Sequence, residues 1–383
     1  MKRKIIYVIT GLKTGGAEMM LLKLLSHLNR SMFEPTVISL ASYGEGEIAQ
    51  QIESLGILVH FIGMKPGQFS FSGFLCLVQL LQKLKPDLLQ GWMYHGNLAV
   101  SFSNFFLQKR VPVLWNIRQS IYDLRDEKRS TANIIKVGAW FSKRTTKIIC
   151  NSKISAKQHE SLSYIKERMV IIPNGFDTNV FYPSMTAYIQ LRQELDLPEN
   201  AFLIGLIGRY HPMKDHANFL QATAHLLTIY PNIHFVLAGT GIELSNLELL
   251  KMVNELRLIE AVHLLGRRND LPYITAGLDI ASSSSYGEGF PNVVGEAMSC
   301  GVPCVVTDVG DSAWIIGNTG KVVPPRNPIA LANAWRELIE MGTEGRRQLG
   351  EQARQRVIEN FSLDAIVCQY EMLYEQVYNE AST

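Results

Sequence analysis

Cysteine is scarce in the 383 residues: Cys76, Cys150, Cys300, Cys304 and Cys368 form an odd, scattered set. That spacing excludes a disulfide framework and points to a reducing compartment. Cys300 and Cys304 share the stretch SCGVPC, but no second Cys or His pair accompanies them. A zinc site of the usual ligand spacing is thereby excluded, and both read as small buried residues. Long apolar runs are missing too. The N-terminus, MKRKIIYVIT, is basic and then apolar, but the apolar run covers only Ile5 to Ile9 before a Gly-rich loop, too little for a secretory leader. The stretch FSFSGFLCLVQLLQ, from Phe69, offers about 14 residues against the ~20 that cross a bilayer. No membrane-spanning segment is expected.

Acidic residues are thin in the first half. Residues 1–180 hold 23 Lys+Arg against 12 Asp+Glu, a balance of +11, whereas residues 181–383 hold 14 against 23, or −9, which together give the net +2. A basic first half suits an anionic partner or a membrane surface, and equally a solvated basic face. Apolar residues make up 47 % and charged residues 19 %, the composition of a globular chain. The length exceeds what one core usually supports, so two domains of about 150–200 residues are expected.

What is present is alternation. KIIYVIT, PTVISL, ILVHFIG, PDLLQGW, VPVLWNI, KIIC and MVIIP read as buried strands, separated by helical patterns such as AEMMLLKLLSHL. PNGFDTNVFYPS, Pro173 to Ser184, is rich in turn formers and reads as a linker. The pattern then restarts with AFLIGLIG, IHFVLAG, AVHLLG, LDIASSS, VPCVVTD and KVVPP. This predicts an α/β chain of two doubly wound parallel sheets, with ligands at the carboxyl ends of the strands and a cleft between the domains as the natural site. FSLDAIVCQYEMLYEQVYNE, from Phe361, has the spacing of one more helix that could pack back on the first domain.

Three stretches could handle phosphate. GLKTGGAE, Gly11 to Glu18, follows the first strand and opens a helix, where free amides favour an anion. It is neither GxGxxG nor a P-loop, so NAD and ATP sites are weakly supported, and a plain tight turn fits as well. IGRYHPMKDH places Arg209 and Lys214 in the loop after the first strand of the second half, a fork and a mobile point charge that suit a diphosphate. SSSSYGEGFPNVVGEAMSC sets Glu288 in a loop and Glu296 inside the following helix, with Pro291 as the helix-start signal. Retaining hydrolases hold their two carboxylates about 5 Å apart on opposite walls. Loop plus helix on one wall suits a long ligand gripped at two places instead.

These motifs, together with PNGFD, LLGRRNDLP and EGFPNVVGEAMSCGVPCVVTDVG, resemble the retaining glycosyltransferases of family 4, of the bacterial capsule, lipopolysaccharide and exopolysaccharide type. The resemblance covers almost the whole chain. It implies the GT-B fold, two facing Rossmann-like domains over 1–180 and 181–361 with a C-terminal helix, 362–383, crossing back to the first. The first domain would bind the acceptor and the second the nucleotide sugar, a UDP-sugar being favoured. Arg209 and Lys214 would hold the diphosphate, Glu296 the ribose hydroxyls and Glu288 the transferred sugar. Backbone amides of Gly289, Phe290, Pro291, Asn292 and Val293 would lie along sugar and phosphate, Pro291 lending only its place in the turn. Leu271 would line the base pocket, and Gly15 and Gly16 would approach the phosphates from the other domain. No metal or other cofactor is expected. Two departures stand out: Arg118 occupies the place where many members carry a His against the donor sugar, and Trp314 a place where relatives commonly carry Glu.

The implied acceptor is a glycan or lipid-linked saccharide. Between Lys109 and Lys153, 11 Lys+Arg meet 3 Asp+Glu, with Trp115, Tyr122, Trp140 and Phe141 interleaved. Nothing there resembles a nucleic-acid module, whereas a basic, aromatic-bearing face suits anionic headgroups. A cytoplasmic enzyme, peripheral on the inner membrane's cytoplasmic face, is the resulting expectation. Its rivals are a nucleotide-sugar epimerase of the same architecture and a catalytically degenerate nucleotide-binding subunit.

Overall fold

In the computed structural model, residues 2–42, 47–65 and 70–382 are described, and the chain divides into two units. The first comprises Met1–Gly175 and Leu363–Thr383, the second Phe176–Ser362. Met1, Phe69 and Thr383 lie outside the described residues.

Each apolar run of the first half becomes a strand: β1 (Arg3–Ile9), β2 (Phe33–Ser39), β3 (Leu58–Phe61), β4 (Leu88–Trp92), β5 (Val113–Ile117), β6 (Lys147–Cys150) and β7 (Met169–Ile171). All neighbours pair in parallel, in the order β3-β2-β1-β4-β5-β6-β7. Helices cover both faces of such a sheet, which is why Ile5–Ile9, Leu88–Trp92 and Val113–Ile117 are apolar nearly throughout and buried throughout. The order reverses between β1 and β4. The helix Met93–Asn104 presses directly on that point: a Cβ on Gly96 would lie 2.2 Å from the Val8 carbonyl oxygen.

The second unit repeats the scheme with β8 (Phe202–Ile207), β9 (Ile233–Ala238), β10 (Val262–Leu264), β11 (Ile280–Ser283), β12 (Cys304–Thr307) and β13 (Gly320–Val323). Its order is β10-β9-β8-β11-β12-β13, again all parallel, with the reversal between β8 and β11. In doubly wound sheets the crevice at the carboxyl ends of the strands flanking the reversal is where ligands bind. That rule selects the loops after β1, β4, β8 and β11.

The last helix, Leu363–Ser382, belongs to the first unit. Its buried stripe of Ile366, Tyr370, Leu373, Tyr374 and Val377 joins the core beside β1 and β4. Buried tyrosines need polar partners: Tyr374 Oη donates to Gln90 Oε1 at 2.5 Å, and Asn116 Nδ2 donates to Tyr370 Oη at 2.7 Å. The stretch expected as a linker is anchored rather than free. Phe176 is buried in the second unit's core, stacked on Phe290 at 6.0 Å, and its N–H donates to the Phe361 carbonyl at 2.8 Å.

Several histidines are buried as neutral rings. His159 Nδ1 donates to the Ser155 carbonyl at 2.7 Å, a group that only accepts, so Nε2 accepts from Tyr94 Oη at 2.9 Å. Burial pushes His159 down to about 4; burial and the Lys214 charge do the same to His216, and burial and His234 to His263. These folded values lie below the unfolded value near 6.5, so the unfolded chain takes up protons that the folded chain does not. The stabilising contribution is present above pH ~6.5 and is lost as pH falls toward 4. We expect a lower urea midpoint at pH 5 than at pH 7.5; an equal or higher midpoint at pH 5 would contradict this burial pattern.

Candidate active site

After β8 the chain runs through Gly208, Arg209 and Tyr210 into a short turn, Pro212–Lys214, and then into the helix His216–Leu227. After β11 it runs through Ser284 and Ser285 to Glu288. These two loops flank the reversal of the second sheet, and polar contacts stitch them together. Tyr286 N–H donates to the Met213 carbonyl at 3.0 Å, and Ser284 Oγ to the Lys214 carbonyl at 2.8 Å. Lys214 Nζ lies 2.6 Å from Glu288 Oε1, which also accepts from Ser285 Oγ at 2.6 Å. Side-chain exposures of 23 % for Lys214 and 13 % for Glu288 leave the pair half-sheltered at the sheet's edge. Arg209 stands exposed on the same loop. The two loops thus carry a lysine paired with a carboxylate that a serine also holds, and an exposed arginine on the loop after β8.

Glu288 precedes the helix Asn292–Ser299 and Glu296 lies within it, as the sequence suggests. Pro291 caps that helix from outside, with φ −75° and ψ 99°, instead of forming its first turn. Phe290 turns its ring into the core, between Phe176 and Trp314, so only its backbone remains at the turn. Trp314 packs on Phe290 and Phe361, at 6.1 and 5.4 Å, and forms an apolar wall below the turn where a carboxylate was the commoner expectation. Leu271 opens the helix Leu271–Ala276 in the loop after β10, two strands from β8, and is half-buried against the second unit's core.

Two contributors escape the sequence reading. Ser285 fixes Glu288, and the buried serine run at the end of β11 is the signal for it. Gly310, after β12, adopts φ +56°, and a Cβ there would lie 2.4 Å from the Glu288 carbonyl oxygen and 2.6 Å from that of Gly289. With Asp311 N–H donating to the Gly289 carbonyl at 2.9 Å, this stretch is the floor on which the Glu288 turn rests.

The remaining candidates stand in the first unit. The helix Gly16–His27 begins after Gly15 with no side-chain cap, and Trp92 Nε1 ties its first turn to β4 by donating to the Ala17 carbonyl at 2.9 Å. Arg118, just after β5, is held on several sides. Its Nη1 donates to Asn116 Oδ1 at 3.3 Å and to Tyr370 Oη at 3.0 Å, its Nη2 to Asn174 Oδ1, and its guanidinium lies 5.5 Å from a Trp92 ring centre. Neither Asn174 nor Tyr370 is near Arg118 in sequence, and nothing in the local pattern announces the cradle. Among the described residues, no group of three or more His, Cys, Asp or Glu side chains is placed to hold a metal ion.

Two family models match the chain in succession: Glycosyltransferase Family 4 over residues 14–180 and Glycosyl transferases group 1 over residues 188–356. The chain belongs to glycosyltransferase family 4. Among its curated relatives, the chain is 30 % identical over 183 residues to the UDP-Gal:alpha-D-GlcNAc-diphosphoundecaprenol alpha-1,3-galactosyltransferase of Escherichia coli, covering 46 % of each chain. The aligned stretch therefore spans about half the length of that relative. It is 27 % identical over 275 residues to the N-acetyl-alpha-D-glucosaminyl L-malate synthase of Bacillus anthracis, covering 71 % of this chain and 70 % of that one. Among solved structures, Anabaena HepE in complex with UDP superposes with a TM-score of 0.83 at 24 % identity, covering 98 % of this chain and 100 % of HepE. Sucrose-phosphate synthase from Thermosynechococcus elongatus does so with 0.77 at 19 % identity, covering 99 % and 100 %. These likenesses establish the fold: the chain has the two Rossmann-like parallel-sheet units of the GT-B class.

Proposed function

We propose that the protein transfers a sugar from a nucleoside diphosphate sugar, UDP-linked, to a hydroxyl of a glycan or lipid-linked acceptor, with retention of anomeric configuration. The observation that carries this reading is the Lys214–Glu288 contact of 2.6 Å at the β8/β11 reversal, with Arg209 exposed on the same loop as Lys214. A cation beside a carboxylate supports the reading, since a nucleotide sugar presents a diphosphate next to sugar hydroxyls. In the reaction the bond between the anomeric carbon and the diphosphate oxygen breaks, and the acceptor oxygen bonds the same carbon from the same face. The acceptor's proton leaves on the departing phosphate. Lys214 and Arg209 stabilise the charge that develops on the diphosphate, a task that a metal ion performs in other enzymes. Glu288 positions the sugar, Glu296 accepts from the ribose hydroxyls, and the first unit takes the acceptor. The name of the Escherichia coli relative supports a UDP donor and a diphospholipid-linked acceptor.

A thermal-shift series with UDP, GDP and ADP tests the donor site. A ligand at a hundredfold excess over its Kd stabilises the folded state by about 2.7 kcal/mol, and UDP is expected to raise the melting temperature accordingly. The shift should shrink in Glu296→Gln. A chain unmoved by all three nucleotides would overturn the assignment.

A further inference from the structure

The loop that carries Glu288 is tied to the Lys214 turn at alternate positions: Ser284 by its hydroxyl, Tyr286 by its N–H and Glu288 by its carboxylate. The middle tie has a side chain with no part in the contacts described so far. Tyr286 is half-buried, and the guanidinium carbon of Arg326 lies over its ring, 4.3 Å from the centre. Arg326 belongs to the short loop after β13, between Pro325 and Asn327. Asn327 caps the helix Pro328–Glu340 by accepting from the Ala330 N–H at 3.0 Å, so the arginine sits between a proline and a helix cap that fix its place.

Two features set this arginine apart. Its backbone is left-handed, with φ +56°, a region in which a Cβ crowds the following carbonyl and glycine fits at least cost. Directly after a proline, that is the turn position that glycine or asparagine ordinarily fills. Arg326 is also exposed, and among the described residues it makes no ion pair and no side-chain hydrogen bond. The contact with Tyr286 is therefore what the position gains from arginine in return for the strain. Strained backbone of this kind clusters at functional sites, and here it stands beside the loop that sets Glu288.

We propose that Arg326 is a positioning residue, a role that rests on the transfer reaction proposed above: stacked on Tyr286, it keeps the Glu288 loop seated on the Lys214 turn while Lys214 serves the diphosphate. With Lys214 paired to Glu288, three ties hold the loop. Once the ammonium turns to the departing phosphate, the Glu288 tie is lost and the contacts of Ser284 and Tyr286 remain. The cation over the Tyr286 ring then decides how firmly Glu288 holds the sugar. Misplacement of the sugar is felt in kcat, whereas the nucleotide keeps its own contacts.

Arg326→Gly tests this, because glycine relieves the left-handed strain as it removes the contact, and the melting temperature should change little. The expected result is a fall in kcat of about two- to fivefold, the rate equivalent of an exposed cation–π contact, with the UDP-induced thermal shift kept. Arg326→Lys, whose ammonium can also lie over the ring, should retain more of the rate. The double variant Arg326→Gly/Tyr286→Ala should lose no more than Tyr286→Ala alone. Hydrogen exchange of residues 284–288, measured with and without UDP, needs no turnover and should quicken about two- to fivefold in Arg326→Gly. Wild-type kcat or wild-type exchange in that variant overturns the proposal. So do additive losses in the double variant, or a smaller UDP-induced shift, which would make Arg326 a nucleotide contact. Faster exchange in the variant, with a wild-type protein that transfers no sugar, would overturn the transfer reaction and leave the loop contact standing.

Discussion

Lys214→Ala is expected to lower kcat by about 10²–10³-fold, the usual loss when one group stabilising the departing charge is removed. The expectation follows from where the lysine sits. It ends the turn after β8, its carbonyl is held by Ser284, and its ammonium reaches Glu288 across the reversal of the sheet. A side chain placed so can follow the diphosphate as charge develops, while Glu288 remains held by Ser285. The pair is half-sheltered rather than fully buried, so its loss leaves no deeply buried unpaired charge and the melting temperature should change little. The variant therefore separates chemistry from stability: a folded protein with wild-type kcat would remove Lys214 from the mechanism.

Arg192→Ala is expected to cost about 3–5 kcal/mol of stability, the range for removing one partner of a buried ion pair. Arg192 is fully buried in the helix Met185–Glu194, with Nη2 2.6 Å from Asp279 Oδ2. Its Nε donates to the Ala201 carbonyl at 2.9 Å, and its Nη1 to the Tyr188 and Gly277 carbonyls at 2.7 and 2.9 Å. Alanine would remove the side-chain donors of three carbonyls and leave the Asp279 carboxylate, which burial already raises above its ordinary pKa, without its cation. Asp279 also accepts from the Leu203 N–H at 2.8 Å, so the damage reaches the start of β8. Arg192→Lys keeps a charge but not the fork, and should fall between the two. Denaturant unfolding measures the loss; a change under 1 kcal/mol would show that the network relaxes without cost.

The strands were legible because each is buried on both faces, which writes runs such as KIIYVIT and AFLIGLIG into the sequence without ambiguity. Arg209 and Lys214 were legible as cations in a loop directly after such a run. The contact of Lys214 with Glu288 was not, because the two lie 74 positions apart and only the β8/β11 adjacency joins them. The same holds for Arg118, whose cradle comes from Asn174 and Tyr370. Gly310 stayed hidden because its importance is steric: it matters only once the Glu288 carbonyl is seen against it. On the basic face, composition alone could not tell Trp115 and Phe141, which fill the core, from Trp140, which does not. Trp140 and Phe141 are neighbours on one helix, and consecutive helical positions point to different sides.

The most direct test is nucleotide release from a panel of UDP-sugars, measured with and without a diphospholipid-linked saccharide. Release is expected to depend on acceptor, with one UDP freed for each sugar transferred and the anomeric configuration kept in the product. Release without acceptor together with an isomerised sugar would mark an epimerase, and tight binding without release a nucleotide-binding subunit; either result would contradict glycosyl transfer at the Lys214–Glu288 site.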